Sequence, residues 1–243
     1  MQSEESTKAN MFAQKSQLRK IMKDVIKNIS SEEKQRQSNA IMNYLLNDCD
    51  AFAKSKHICF YLAMKHEEID TIPLIEKILM SKDKENRTQI DFKLSEKHIY
   101  VPHVEMAKKT EKNKSEMCFF ELKDMNQYRT EMNDNNKYKI LQFNQPNKMM
   151  KCDEKLFDLI IVPGLAFELN EKNTISRLGR GMGYYDIFLS KVRPDCYKLA
   201  IGFNQQYLTI NKDLSAQNLH VPINEEQDVC INDFVCEQTI NKN

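Results

Sequence analysis

Arg177-Leu178-Gly179-Arg180-Gly181-Met182-Gly183-Tyr184-Tyr185-Asp186 holds three of the chain's five glycines, at alternate positions. Glycine lets a backbone turn tightly and bring its N–H groups close to a ligand. A glycine turn that opens a helix presents those groups to an anion. The helix is readable from its apolar spacing, because Tyr184, Phe188 and Leu189 share one face and Val192 continues it. Arg177 and Arg180 put charge where phosphate oxygens would lie. Upstream, the apolar run 157–162 (FDLIIV) suits a buried strand, and Pro163-Gly164 ends it. Strand, loop, glycine turn and helix succeed one another, the order of an α/β sheet with its ligand site at the carboxyl edge.

Two common phosphate motifs are excluded. Counted from Gly179, G-x-G-x-x-G requires glycine where Tyr184 stands, and a loop ending Gly-Lys-Ser/Thr is absent. By its local sequence the turn is either an anion seat of another kind or a tight turn with solvated arginines.

The rest of the chain extends the α/β pattern in both directions. Leu18, Ile21, Met22, Val25 and Ile29 form one helical stripe within 8–29. Lys15 and Arg19, four residues apart, share another face, which in an ordinary helix is solvated. Ser30-x-x-Glu33 reads as a capping box starting a second helix with Ile41, Tyr44 and Leu45 inward. The run 57–64 (HICFYLAM) predicts a buried strand. Glu67, Glu68 and Asp70 cluster just beyond it, where open α/β sheets place ligands. Asp70 or Thr71 caps the next helix, which carries Pro73 in its first turn and buries Ile75, Ile78 and Leu79. Further strands are expected at 98–102 and 117–120, paired as a hairpin, and at 198–203 and 233–236. The polar stretches 82–91, 108–115 and 126–139 read as inserted surface loops. Strands separated by helical segments predict a largely parallel sheet.

Composition narrows the function classes. The 243 residues carry a net charge of +1 with both signs mixed, so no basic footprint for nucleic acid or an anionic membrane is present. No apolar run approaches the roughly 20 residues of a membrane span, and Glu4 and Glu5 stand where a secretory signal would be hydrophobic. A cytoplasmic monomer with a small ligand is expected. Seven cysteines without a C-x-x-C pair signal neither a disulfide framework nor a zinc site, so buried reduced thiols are expected, Cys59 and Cys118 among them.

The blocks PGLAFE (163–168) and RLGRGMGYYD (177–186) resemble the PGLxFD and RLGxGxGYYD blocks of the 5-formyltetrahydrofolate cyclo-ligase family, also called methenyltetrahydrofolate synthetases. KSQLR (15–19), SSEEKQRQS (30–38), FYLAMKHEEIDT (60–71), AIGFNQQ (200–206) and VPINEEQD (221–228) occur in the family's order. The resemblance implies a single three-layer α/β/α domain, with a core at about 8–237 and surface loop insertions, 168–176 being several residues longer than the family loop. It implies conversion of 5-formyltetrahydrofolate, with or without a polyglutamate tail, and ATP into 5,10-methenyltetrahydrofolate, ADP and phosphate.

Site residues carry over by position. Lys15, Ser16, Gln17, Leu18 and Arg19, with Arg177, Leu178, Gly179, Arg180, Gly181, Met182, Gly183, Tyr184 and Tyr185, match the ATP site. Leu62 and Glu68, with Arg180, Gly181, Met182, Gly183 and Tyr184, match the folate site, and Glu67 is the acid in the alternative register. Arg180 and Tyr185 are the catalytic candidates, the first for phosphoryl charge, the second for excluding water. Asp186 and, with a one-residue shift, Asp228 match the Mg2+ ligands, as suits a hard cation. Met182 stands where the family commonly has glycine or lysine, so a lysine's contribution is absent or falls to Arg180. Relatives that pair this scaffold with RNA binding make a non-catalytic binding protein the alternative, but the glycine block, Lys15 and both aspartates are retained here.

Overall fold

The apolar runs do assemble into a sheet. A computed structural model of the chain describes residues 2–82, 89–105, 116–136, 139–211 and 219–241. Its strands are β1 (His57–Cys59), β2 (His98–Glu105), β3 (Glu116–Leu122), β4 (Met132–Asn133), β5 (Gln142–Phe143), β6 (Leu159–Val162), β7 (Ala166–Leu169), β8 (Ile175–Leu178), β9 (Tyr197–Ile201) and β10 (Asp233–Val235). Six form the main sheet in the order β10-β9-β6-β1-β2-β3. Every pairing in it is parallel except the expected β2–β3 hairpin, registered from Ile99↔Leu122 to Glu105↔Glu116. β4–β5 and β7–β8 are separate antiparallel pairs.

Side chains alternate across this sheet, and each face has its own cover. Ile58, Ile99, Val101, Leu159, Ile161, Leu199 and Ile201 face α1 (Gln2–Lys27), α2 (Ser31–Asn47) and α4 (Ile72–Met80), meeting Leu18, Met22, Ile41, Leu45, Ile75 and Ile78. Cys59, Tyr100, Ile160, Val162, Ala200 and Phe234 face the other way, against Phe188 and Leu189 of α7 (Tyr184–Leu189) and Phe167 and Ile175 of the β7–β8 hairpin. The result is the expected three-layer α/β domain, with its second outer layer reduced to one short helix and a hairpin. Smaller helices α3 (Asp50–Lys54), α5 (Gln89–Ser95), α6 (Met125–Glu131) and α8 (Glu237–Ile240) complete the frame.

Local signals fared unevenly. Ser30 accepts the Glu33 N–H at 3.1 Å, but the Glu33 carboxylate turns to Arg36 and Gln37, so only half of the capping box forms. Asp70 accepts the Ile72 N–H at 3.1 Å and so caps α4, while Thr71 donates its hydroxyl to the Tyr61 carbonyl. The β1 ladder stops at Cys59, although the Phe60 N–H still donates to the Tyr100 carbonyl of β2 at 2.9 Å, and 61–64 belong to no strand. Two stretches expected as loops are structured. Most of α6 and all of β4 lie within 126–139, and 168–176 is the tip and inner half of the β7–β8 hairpin. Loop 82–91 gives way to α5 at Gln89. Residues 83–88, 106–115 and 137–138, which include the whole 108–115 loop, fall outside the described residues.

Candidate active site at the carboxyl edge of the sheet

The glycine turn lies between β8 and α7. Gly181 (φ 106°) and Gly183 (φ 72°) adopt left-handed conformations that only glycine takes at little cost. Gly183 is the N-cap of α7. α1 stands against the turn, because burial of Leu18 and Met22 on its stripe presents Lys15 and Arg19 to this edge. Arg19 Nε donates to the Gly179 carbonyl at 2.9 Å, and a Cβ on Gly181 would lie 3.4 Å from Arg19 Cζ. Burial lowers the Arg19 pKa from its usual value, opposed by the nearby carboxylates Asp228 and Asp186. Both aspartates and the α1 arginine are therefore brought together at one place.

Each aspartate is held by one cation and one backbone N–H. Lys15 Nζ pairs with Asp228, which also accepts the Asn224 N–H at 2.7 Å. Arg177 Nη2 meets Asp186 at 2.9 Å, and Asp186 accepts the Val229 N–H at 3.3 Å. Arg177 is turned inward. Its side chain is 4% exposed, Nη1 reaches the Pro163 carbonyl at 3.3 Å, Cζ sits 5.6 Å from the centre of the Tyr185 ring, and Nε has no hydrogen-bond partner among the described residues. A side chain expected to meet phosphate thus supports Asp186 and Tyr185 from beneath. Two carboxylates held in this way fit a magnesium ion that takes its remaining ligands from phosphate oxygens and water. Among the described residues no group of three or more His, Cys, Asp or Glu side chains could hold a metal without such help.

Arg180 reaches across the site to the β1 side. Its Nη2 and Nε donate to Glu68 Oε1 at 3.1 and 3.3 Å, and Nη1 donates to Glu67 at 2.6 Å. Glu68 is the buried acid, its side chain 9% exposed, and its Oε2 accepts the Met64 N–H at 2.9 Å. Burial pushes its pKa up, against the pull of Arg180 and that N–H. Glu67 is more exposed and contacts Arg180 alone among these groups. The two acids of the alternative registers therefore share one arginine.

The remaining candidates divide by exposure. Leu62 is buried in the core segment that leads to Glu68. Of 15–19, Leu18 is core, Ser16 half-buried and Gln17 exposed. Leu178 is buried in β8, Tyr184 is half-buried beside Phe188, and Met182 is 67% exposed at the tip of the turn. Burial raises the Tyr185 phenol strongly, so it remains a neutral hydroxyl. One supporting residue lay unnoticed in AIGFNQQ. Gln206 Nε2 donates to the Gly164 and Leu165 carbonyls at 2.8 and 3.2 Å and its Oε1 accepts the Phe203 N–H at 2.8 Å, fixing the PGL turn to the end of β9.

A model described as the 5-formyltetrahydrofolate cyclo-ligase family matches residues 11–237. A mitochondrial 5-formyltetrahydrofolate cyclo-ligase of Arabidopsis thaliana is 31% identical over 190 residues, which are 75% of this chain and 59% of that protein, so the match leaves a substantial part of the plant protein uncovered. A probable 5-formyltetrahydrofolate cyclo-ligase of Schizosaccharomyces pombe is 28% identical over 213 residues, 82% of this chain and 87% of that one. Among solved structures, the 5,10-methenyltetrahydrofolate synthetase of Aquifex aeolicus aligns with a TM-score of 0.63 at 24% identity, covering 92% of this chain and 90% of that one. The synthetase of Mycoplasma pneumoniae gives 0.56 at 16% identity, covering 92% and 98%. At these identities the two structures speak to the fold.

Proposed function

This chain belongs to the 5-formyltetrahydrofolate cyclo-ligase family, and from that premise we propose that it converts 5-formyltetrahydrofolate and ATP into 5,10-methenyltetrahydrofolate, ADP and phosphate. The formyl oxygen attacks the γ-phosphorus and the bond to ADP breaks. The adjacent folate nitrogen then adds to the activated carbon, loses its proton, and phosphate departs with the former formyl oxygen. Formyl oxygen is a weak nucleophile and phosphate oxygens are crowded with charge, so positioning and neutralisation account for most of the catalysis.

The observation that carries this proposal is the contact between Arg180, on the glycine turn, and Glu68, beyond β1, which is what a site with a phosphoryl donor beside a pterin-orienting acid requires. Glu68 accepts from N–H groups of the reduced pterin and orients it. Arg180, released from Glu68 and Glu67, turns its fork to the transferring phosphoryl group. Lys15 and Arg19 hold the remaining phosphates against the backbone N–H groups of the turn. Tyr185 closes over the reacting atoms as a neutral hydroxyl and keeps water from the phosphorylated intermediate. Asp186 and Asp228 would hold magnesium, which supplies charge neutralisation on the phosphates. We also take the protein to act as a monomer in the cytoplasm, on free or polyglutamylated folate, without nucleic acid. No helix among the described residues is long and apolar enough to cross a membrane.

The test is a mixture of the protein, MgATP and 5-formyltetrahydrofolate, monitored for methenyl absorbance and ADP release together. One ADP for each methenyl product, with both lost on chelating magnesium, is expected. Methenyl product formed without ATP, or ADP released at the same rate without folate, would overturn the assignment.

A further inference from the structure

The longer stretch 168–176 and the last residue of the PGLAFE block have no part in the chemistry above. Both lie on the β7–β8 hairpin, and the hairpin grips the segment that carries Asp228. Glu168, its side chain 18% exposed, accepts the Val221 N–H on Oε2 at 2.7 Å and meets His220 Nδ1 on Oε1 at 2.6 Å. On the opposite strand of the hairpin, Ile175 exchanges both backbone hydrogen bonds with Ile231, each 2.9 Å long. Val221 and Ile231 are themselves buried. The hairpin therefore anchors both ends of the 221–231 segment. Asn170 adds a contact near the second anchor, its Nδ2 3.7 Å from Cys230 Sγ and within reach of Thr174 and Ser176. Lys172 pairs with Glu225, but both are well exposed, and such pairs contribute little.

Between the anchors the internal ties centre on Asn224: its N–H donates to Asp228 Oδ2 at 2.7 Å, its carbonyl accepts the Gln227 and Asp228 N–H groups at 3.0 and 2.8 Å, and its Oδ1 accepts the Glu226 N–H at 3.1 Å. None of these ties fixes the segment relative to the rest of the domain. That is done by the two hairpin anchors, by the Val229 N–H on Asp186 and by the Lys15–Asp228 ion pair. We infer that Glu168 is a positioning residue for the nucleotide site: by clamping Val221 it sets where Asp228 stands relative to Asp186 and Lys15, and the hairpin is the brace through which it acts. The inference rests on the assignment of Asp228 to the MgATP site.

Glu168→Ala, Glu168→Gln and Asp228→Asn are compared with the unaltered protein by amide hydrogen exchange across 219–231, by separate KM values for MgATP and for 5-formyltetrahydrofolate, and by thermal unfolding. Loss of one charge-assisted hydrogen bond corresponds to about a tenfold change or more. Glu168→Ala is therefore expected to speed exchange at Val221 and Asp228 by about tenfold and to raise the MgATP KM by about as much, with the folate KM within about twofold. Glu168→Gln keeps the side-chain volume and one acceptor, and shifts both quantities in the same direction by less. It decides the matter if the alanine variant does not fold. Exchange or MgATP KM unchanged in folded Glu168 variants, or both KM values raised alike, overturns the inference while an effect of Asp228→Asn on MgATP leaves the nucleotide site standing. An unchanged MgATP KM in Asp228→Asn overturns the site assignment and with it the inference.

Discussion

At the amino end of the parallel strands, Asp158 accepts the backbone N–H groups of Lys56 and His57 at 2.8 and 2.9 Å and pairs with Arg193. Lys97 donates there to the carbonyls of Phe52 and Ser55 at 2.7 and 2.8 Å, and more weakly to Ala53, closing the carboxyl end of α3. At the other end of the same strands, Lys15 pairs with Asp228, Arg177 with Asp186, and Arg180 with Glu67 and Glu68. Charge is plentiful at both ends, but its partners differ. At the amino end the charges satisfy backbone groups that would otherwise be orphaned, so they belong to the fold. At the carboxyl end they mostly satisfy each other, across elements far apart in sequence, and a ligand that offers phosphate and pterin groups can take either partner's place. Arg177 and Arg19 are exceptions at that end, each tied to a backbone carbonyl, and Arg177, being buried as well, has the character of the opposite edge.

The largest effect should come from the exchangeable end. Arg180→Ala is expected to lower turnover by about 10²- to 10³-fold, the scale for loss of one preorganised donor to a charged transition state, with the protein still folded. It leaves Glu68 buried without its cation, so the variant should also hold a proton on that carboxyl to higher pH. Turnover within about threefold of the parent in a folded Arg180→Ala protein would remove the arginine from the site. Lys97→Met should produce the reverse pattern, a loss of about 1–3 kcal/mol in denaturant unfolding as carbonyls at the end of α3 lose their donor, with turnover per folded molecule unchanged. A fall in turnover at full stability would erase the distinction between the two ends.

Much of this arrangement is legible in the residues alone. The apolar runs predict the main strands because β-branched and aromatic residues buried on both faces leave little ambiguity, and the parallel ladders reflect the helices between them. The glycine turn is legible because Gly181 and Gly183 need left-handed backbone. What escapes is whatever depends on distant pairing. Nothing local in Glu67 or Glu68 announces Arg180, 113 and 112 residues away, and nothing in Lys15 announces Asp228, 213 residues on. Arg177 reads as a phosphate donor because arginines beside glycines usually face solvent, and its burial depends on Pro163 and Tyr185 being folded over it. The hairpin at 168–176 and helix α6 are hidden by polar composition. The hairpin is stabilised by the pairing of Ile175 with Ile231, and α6 is capped by Asp124, which accepts the Gln127 N–H at 2.8 Å. Neither carries an apolar period.

Two smaller effects sharpen the contrast. Glu68→Gln should weaken folate binding by about tenfold to a hundredfold, as expected for charged hydrogen bonds, while binding of a nonhydrolysable ATP analogue changes little. Equal losses for both ligands would make Glu68 a structural acid, and the same titrations on Glu67→Gln separate the two neighbours. At the amino end, burial and then the stacked His98 hold the His57 pKa below its usual value near 6.5. As pH falls below about 6.5 the unfolded chain binds that proton first, so the stability His57 confers is present above this pH and is lost below it. Between about pH 7 and pH 5.5, His57→Gln should therefore flatten the decline in the urea midpoint. A decline as steep as the parent's would mean that His57 titrates alike in both states.

Arginine side-chain NMR tests the central contrast most directly. Arg180 Nε–H is bonded to Glu68 at 3.3 Å, and Arg193 Nε–H is bonded to the Phe157 carbonyl at 2.9 Å. The two resonances report on opposite ends of one sheet in one sample. Titration with 5-formyltetrahydrofolate and a nonhydrolysable ATP analogue should move the Arg180 signal as its partners change from Glu67 and Glu68 to ligand, and leave Arg193 where it is. An Arg180 signal unmoved at saturation with both ligands, or a shift of equal size at Arg193, would contradict the exchange of carboxyl-edge ion pairs for substrate.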